Sequence, residues 1–331
     1  SLVTVSAGAK DFTDDSEITY KEAVDVISAL GVVDGYSDGD FRPDDVLTRG
    51  AAAKIICNLI LGPTTASALS AGTAPFKDVP VTNTFAGYIT YCSQQGIISG
   101  YADGTFRPTG TLSGNAFMKM LLGALGYDSS IEGYTGANWS IAVGKRAIGI
   151  GLDDGNDNFV GVNAVTREEA CLYAFNTLKA TMVEYDSKTT VEISGTTVQV
   201  GNEDARDMVN NTNTDGYIDK DGLMQFAEKY HTDLKRSDDT SDDFGRPANK
   251  WNVKKEEVGT YANTPDATFT KKVTKADVYN AIGKTVYDDL KDGDATLTTY
   301  FDGFETKVKA ADVDSTWANK NDTGKDNSTG N

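Results

Sequence analysis

Two short strings in this chain have the composition of an anion receptor. Thr48-Arg49 and Thr166-Arg167-Glu168-Glu169 each place a hydroxyl residue before an arginine, at the start of an apolar-periodic stretch. A helix beginning there presents free backbone N–H groups and the positive end of its dipole. The adjacent guanidinium adds a planar fork that matches a carboxylate bidentately. Together these groups could capture one carboxylate. The same residues also read as plain helix caps with solvated arginines, and sequence physics leaves both readings open. Ser113-Gly114-Asn115 stands at the corresponding place in another stretch. Ser113 can cap, but Gly114 carries no cation, so the groove relying on it is expected to be weak or dead.

Two further strings suggest other chemistry. Gly35-Tyr36-Ser37-Asp38-Gly39 spells a hydrolase nucleophile elbow,. It falls between helical stretches rather than at a strand-to-helix turn, and the only histidine, His231, lies in another region. No catalytic residue is therefore expected, and the chain reads as a non-enzyme. The segment from Asn211 to Gly222 resembles an EF-hand or dockerin-type calcium loop, with Asn211, Asn213, Asp215 and Asp219 as oxygen ligands,. Gly222 stands where a bidentate glutamate belongs, so calcium affinity is expected to be poor. A polar turn before a helix is the competing reading.

The elements that position the first set of residues come from an internal repeat. Gly31-Val-Val-Asp-Gly-Tyr-Ser-Asp-Gly-Asp-Phe41-Arg-Pro43 recurs as Gly96-Ile-Ile-Ser-Gly-Tyr-Ala-Asp-Gly-Thr-Phe106-Arg-Pro108, 65 positions on and without a gap. A more diverged third copy follows 53 positions later, keeping Gly149-Ile150, Phe159 and Val165-Thr166. Each copy reads as helix, loop, helix. The helices carry apolar residues near a 3.6-residue period, as in Ile18, Ala23, Val24, Ile27 and Leu30,. A glycine stops the first helix, a lone Phe plugs the loop, and Thr or Ser opens the second helix. One such unit is too small to be stable alone, so the copies should pack together.

Composition narrows the classes of partner. The formal net charge is −18 and the pI about 4.4. Nucleic-acid binding is not expected, because it needs a basic surface. Binding to an anionic polymer would have to come from a few locally placed cations. No stretch approaches the ~18 apolar residues of a membrane span. Cys57, Cys92 and Cys171 fall on apolar helix faces and are expected to be buried free thiols,. The chain begins at Ser1 and Ala7-Gly8-Ala9 has a small-x-small pattern, so residues 1–9 read as the tail of a secretion signal, with an ordinary strand as the alternative,.

Phe76-Lys77-Asp78, Trp139, the Gly-Ile/Val pairs, the Gly-rich loops with Phe-x-Pro, and Thr48-Arg49 and Thr166-Arg167-Glu168-Glu169 together resemble the S-layer homology domain. The resemblance covers about residues 10–180, as repeats at 10–62, 72–126 and 127–180. It implies a mainly α fold in which three helix-loop-helix repeats form a pseudo-three-fold trimer with grooves between its prongs. It also implies binding of an anionic, often pyruvylated, secondary cell-wall polysaccharide by Thr48, Arg49, Ser113, Trp139, Thr166 and Arg167. The expected setting is the cell wall or S-layer of a Gram-positive-type, Firmicute-like bacterium, with other surface-layer subunits as further partners. An alternative is the wall anchor of an exported enzyme, such as a glycoside hydrolase.

Beyond the repeats the texture changes. Residues 181–314 read as a smaller mixed α/β connector. It would hold a hairpin around Ser194-Gly195, a short helix near 222–231, a loop-rich stretch at 235–265 and a helix capped by Thr274,. Residues 315–331 are rich in Asp, Asn, Gly, Ser and Thr and read as a disordered linker,.

Overall fold

The computed structural model describes residues 9–186, 189–193, 196–200, 204–211, 218–243, 246–265, 267–268 and 275–292. The secretion-signal reading of residues 1–9, apart from residue 9, and the linker reading of 315–331 lie outside these residues. The chain divides into two compact units. One comprises Ser1–Arg236 with Trp251–Gly259, the other Ser237–Lys250 with Thr260–Asn331.

The first unit carries the repeats. Its helices are α1 (Lys21–Ala29), α2 (Arg49–Leu61), α3 (Pro63–Ser67), α4 (Ala86–Gln94), α5 (Gly114–Ala124), α6 (Trp139–Gly149) and α7 (Arg167–Lys179). Helix α1 buries Ala23, Val24 and Ile27, as its period foresees, but also Asp25, Val26, Ser28 and Ala29, while Leu30 is half-buried,. Gly31 follows it and Gly96 follows α4, with φ of 71° and 69°, a backbone region that costs other residues about 1–2 kcal/mol,. Thr48, Ser113 and Thr166 cap α2, α5 and α7. Their side-chain oxygens accept from the N–H groups of Ala51, Ala116 and Glu169 at 3.3 Å each. In α7 the Glu169 carboxylate also accepts from Thr166 N–H at 2.9 Å, which completes a capping box,.

The loops are held by a device that the sequence reading noted only in part. Phe41 and Phe106 are buried and pack on Phe12 and Phe76, with ring centroids 5.2 and 5.4 Å apart. Two residues after each partner ring stands an aspartate. Asp14 accepts from the N–H groups of Phe41 and Arg42, both at 2.7 Å. Asp78 accepts from those of Phe106 and Arg107, at 2.8 and 2.7 Å. These carboxylates hold Arg42 and Arg107 in the left-handed region, at φ of 57° and 60°. Burial alone would raise both carboxyls, but the backbone donors outweigh it and hold them below the usual range,.

The three second helices are stitched together just before they start. Leu47 N–H donates to Val165 C=O, Leu112 N–H to Leu47 C=O, and Val165 N–H to Leu112 C=O, at 2.8, 3.2 and 2.9 Å. All three side chains are buried. The result is a closed ring of backbone hydrogen bonds among residues far apart in sequence, flanked by the bridges Val46–Thr166, Thr48–Thr111 and Ser113–Ala164.

The expectation of a mainly α chain arranged as a pseudo-three-fold trimer is corrected. Of the described residues 37% are helical and 16% extended, so the fold is helix-rich with a sheet region. Strands β1 (Val183–Glu184), β2 (Thr189–Ile193), β3 (Thr196–Val200) and β4 (Arg206–Asp207) precede α8 (Phe226–Tyr230). They form the antiparallel pairs β1–β4 and β2–β3. Strands β5 (Leu234–Ser241), β6 (Pro247–Val253) and β7 (Glu256–Ala262) form a sheet in the order β5-β6-β7. This stretch reads as loop in the sequence because β5 buries only Leu234 and shows no apolar alternation,. In the first unit Trp251 is fully buried, stacks edge-on to Phe175 at 5.3 Å, and donates from Nε1 to Glu22 at 2.6 Å. Helix α9 (Lys275–Asp292), broken at Gly283, belongs to the second unit.

Candidate anion-binding site

Thr48 and Thr166 sit at helix starts, but the backbone N–H groups there are not free. Arg49 and Gly50 donate to the carbonyls of Gly110 and Pro108, and Arg167 and Glu168 to those of Asp45 and Pro43. The third amide of each helix is taken by the threonine cap. Gly114 and Asn115 of α5 likewise donate to Asn163 and Gly161. Any anion held at these helix starts must therefore be held by side chains.

The arginines are half-buried and already engaged. Arg49 donates from Nε to Phe106 C=O at 2.7 Å and from Nη2 to Ser99 C=O at 3.4 Å, and lies over the rings of Phe106 and Tyr101 at 4.4 and 4.9 Å. Arg167 repeats this on Phe41 and Asp34 carbonyls, at 2.9 and 2.8 Å, over Tyr36 and Phe41 at 4.7 and 4.9 Å. Each arginine thus docks on the loop of a different repeat from its own. Position 114 points the same way: a Cβ on Gly114 would come within 2.8 Å of the Phe159 ring in the third loop. The cation missing there is missing from the third loop, beside Phe159. The guanidinium beside Ser113 is that of Arg49.

Ser113, Arg49 and Trp139 meet in one cavity of about 530 Å³, which Tyr101, Tyr134 and Lys119 also line. Thr166 and Arg167 lie apart from it, and Thr48 bridges to Thr111 beside it. Lys119 is the residue that the motif search missed. It is a single cation in the apolar run Phe117-Met-Lys-Met-Leu-Leu122 of α5, and that isolation was the available signal. Its Nζ lies 5.6 Å from the centroid of the Trp139 ring. Burial pushes its ammonium below the usual lysine value, and burial likewise lowers Arg49. Arg49 stays protonated, and no aspartate or glutamate lines the cavity,. In a chain of formal charge −18, this is a local concentration of positive charge with two aromatic walls,.

The other candidate strings find different settings. Of the calcium-loop residues, Asn213 and Asp215 lie outside the described residues, while Asn211 and Asp219 are exposed. Among the described residues no group of three or more His, Cys, Asp or Glu is placed to hold a metal. The N–H groups of Ile218 and Asp219 instead donate to Glu228 Oε1, both at 3.3 Å. Ser37 lies in a turn closed by Tyr36 N–H on Asp40 C=O. The half-buried His231 places Nε2 2.7 Å from Leu59 C=O. Cys57, Cys92 and Cys171 are buried and free, with Cys57 and Cys92 sulfurs 3.6 Å apart. No helix among the described residues is long and apolar enough to cross a membrane.

Comparison with known proteins finds relatives that are cell-surface proteins. A surface layer protein of Brevibacillus choshinensis is 32% identical over 113 residues, 34% of this chain and 10% of that protein. Cell surface glycoprotein 1 of Acetivibrio thermocellus is 34% identical over 111 residues, 32% of this chain and 5% of that protein. A cellulosome-anchoring protein of the same organism is 39% identical over 74 residues, 22% of this chain and 16% of that protein. The chain therefore spans a small part of the length of these relatives. Residues 11–53 and 75–114, which hold the first two loops with their Asp14 and Asp78 clasps and Arg49, match the S-layer homology domain.

Proposed function

We propose that this chain anchors a surface protein non-covalently to the cell wall, by binding an anionic saccharide of a wall polymer. The observation that carries the reading is the cavity between Arg49 and Lys119, which holds two cations and no carboxylate in an acidic chain. Trp139 offers a face on which a sugar ring can stack, and a carboxylate on that ring would lie between the cations. A pyruvylated secondary cell-wall polysaccharide supplies both features. The role is non-catalytic, the setting is the bacterial wall, and other surface-layer subunits are natural neighbours.

Sedimentation with purified wall sacculi tests this. Lys119→Ala is the cleaner variant, because Arg49 also braces the Phe106 loop. Loss of co-sedimentation in Lys119→Ala, and in wild type after acid removal of pyruvate from the sacculi, is the expected result. Undiminished binding of Lys119→Ala would refute the site. The similarity to a cellulosome-anchoring protein favours a second reading, in which the anchored cargo is an exported enzyme rather than a lattice subunit.

A further inference from the structure

We infer that residues 181–230 are a fourth copy of the repeat junction, converted from an anion-binding element into a cap that closes the array. The chain after α7 makes a second closed ring of backbone hydrogen bonds. Met182 N–H donates to Met224 C=O, Met208 N–H to Met182 C=O, and Met224 N–H to Met208 C=O, each at 2.8 Å. Its connectivity is that of Leu47, Leu112 and Val165, member for member in chain order. The flanking pairs agree as well: Thr181–Gln225, Val183–Asp207 and Val209–Leu223 reproduce Val46–Thr166, Thr48–Thr111 and Ser113–Ala164. Phe226 N–H donates to Ala180 C=O, two residues before the ring, as Arg167 N–H donates to Asp45 C=O.

The sequence follows the same register. Asp215-Gly216, Ile218 and Met224 fall without a gap on Asp38-Gly39, Phe41 and Leu47, and Ile218, Met224 and Glu228 fall on Phe159, Val165 and Glu169. Ile218 is buried, as Phe41 is. The loop clasp is kept but supplied from another place. The amides of Ile218 and Asp219 are held by Glu228, where those of Phe41 and Arg42 are held by Asp14. Asp219 does not share the positive φ of Arg42. Glu228 also accepts from Asn210 Nδ2 at 2.9 Å and from Gln225 N–H at 3.3 Å, the latter matching Glu169 on Thr166.

The binding chemistry has been removed. Phe226 stands where Arg49 and Arg167 stand, and it is buried against Tyr230. Helix α8, at five residues, packs on α2 and α7, and its one cation, the exposed Lys229, lies in its last turn and not at the position of the arginines. The second ring is also tied to the repeats. Val183 N–H donates to Leu125 C=O at 2.9 Å, and His231 engages Leu59 C=O. A fourth junction with no cation at the arginine position, seated on the ends of α2 and α5, is a terminator of the array.

Hydrogen exchange on the full chain tests this, comparing wild type with Glu228→Gln in EDTA and in calcium chloride. Weakening a charged clasp should speed exchange at Ile218 and Asp219 by about ten-fold. If the fourth copy caps the array, Leu47, Leu112 and Val165 should speed up by a common factor with Met182, Met208 and Met224. Wild-type protection should be the same with and without calcium. An effect confined to the methionine ring would make this segment an independent connector and overturn the inference. Protection of Ile218 and Asp219 only in calcium would overturn it too, since the loop would then be held by metal. Should Glu228→Gln not fold, Phe226→Leu makes the same comparison.

Discussion

Replacing Asp78 by alanine removes one carboxylate that clamps a whole loop. Its two oxygens accept from Phe106 and Arg107 N–H at 2.8 and 2.7 Å, and Arg107 sits at φ of 60°. Hydrogen bonds to a charged group contribute about 1.5–3 kcal/mol each. Asp78 is partly solvated, so the lower end applies, giving about 3 kcal/mol for the pair. At about 2–4 °C per kcal/mol for a unit of this size, the thermal midpoint should fall by about 6–12 °C. Asp78→Asn keeps one acceptor oxygen and should lose about half as much. The pH dependence has a definite sign. The folded carboxyl lies below its unfolded value, so its stabilisation is complete above the unfolded pKa of about 4 and is lost as pH falls through the folded one,. Circular-dichroism melts at pH 7 and pH 3 are the assay. The gap between wild type and Asp78→Ala should be clear at pH 7 and narrower in acid,. A pH 7 midpoint for Asp78→Ala within about 1 °C of wild type would refute the clamp.

Three other outcomes follow from the same geometry. Gly114→Ala drives a Cβ to within 2.8 Å of the Phe159 ring, and should destabilise by about 1–3 kcal/mol in a denaturant titration,. Wall binding should decline at alkaline pH, as the lowered Lys119 ammonium titrates, and Lys119→Arg should move that decline upward in a pH series of sedimentation assays,. Burial pushes the Cys171 thiol up to about 12, and Cys57 and Cys92 are equally buried, so none of the three should alkylate until the protein is unfolded,.

The parts that were legible in the sequence are those with local signals. Helix caps at Thr48, Ser113 and Thr166 announce themselves by residue type, and the buried loop rings at Phe41 and Phe106 by repetition. The short helix near 222–231 and the hairpin strands on either side of Ser194-Gly195 were also readable, from turn residues and alternation. What was hidden depends on partners distant in the chain. The helix-start amides look free in sequence, because the carbonyls of Gly110 and Pro108 that occupy them are about 60 positions away. Lys119 looks like an ordinary surface lysine until Arg49 and Trp139 converge on it. Strand β5 escaped because a polar segment gives no period to read, and β6 because its pairing, not its composition, makes it a strand.

The reach of each arginine onto another repeat's loop has a consequence for how such arrays diverge after gene duplication. A groove is the joint property of two copies, so a single copy lifted out of the array inherits none. Mutation in one copy is felt in its neighbour: Gly114 leaves the cavity beside Ser113 furnished and takes a cation from the loop of Phe159. Selection on such a protein therefore acts on adjacent pairs. A copy can decay in its own motif, keep its place in the ring, and still present the surface on which the preceding copy's arginine lies.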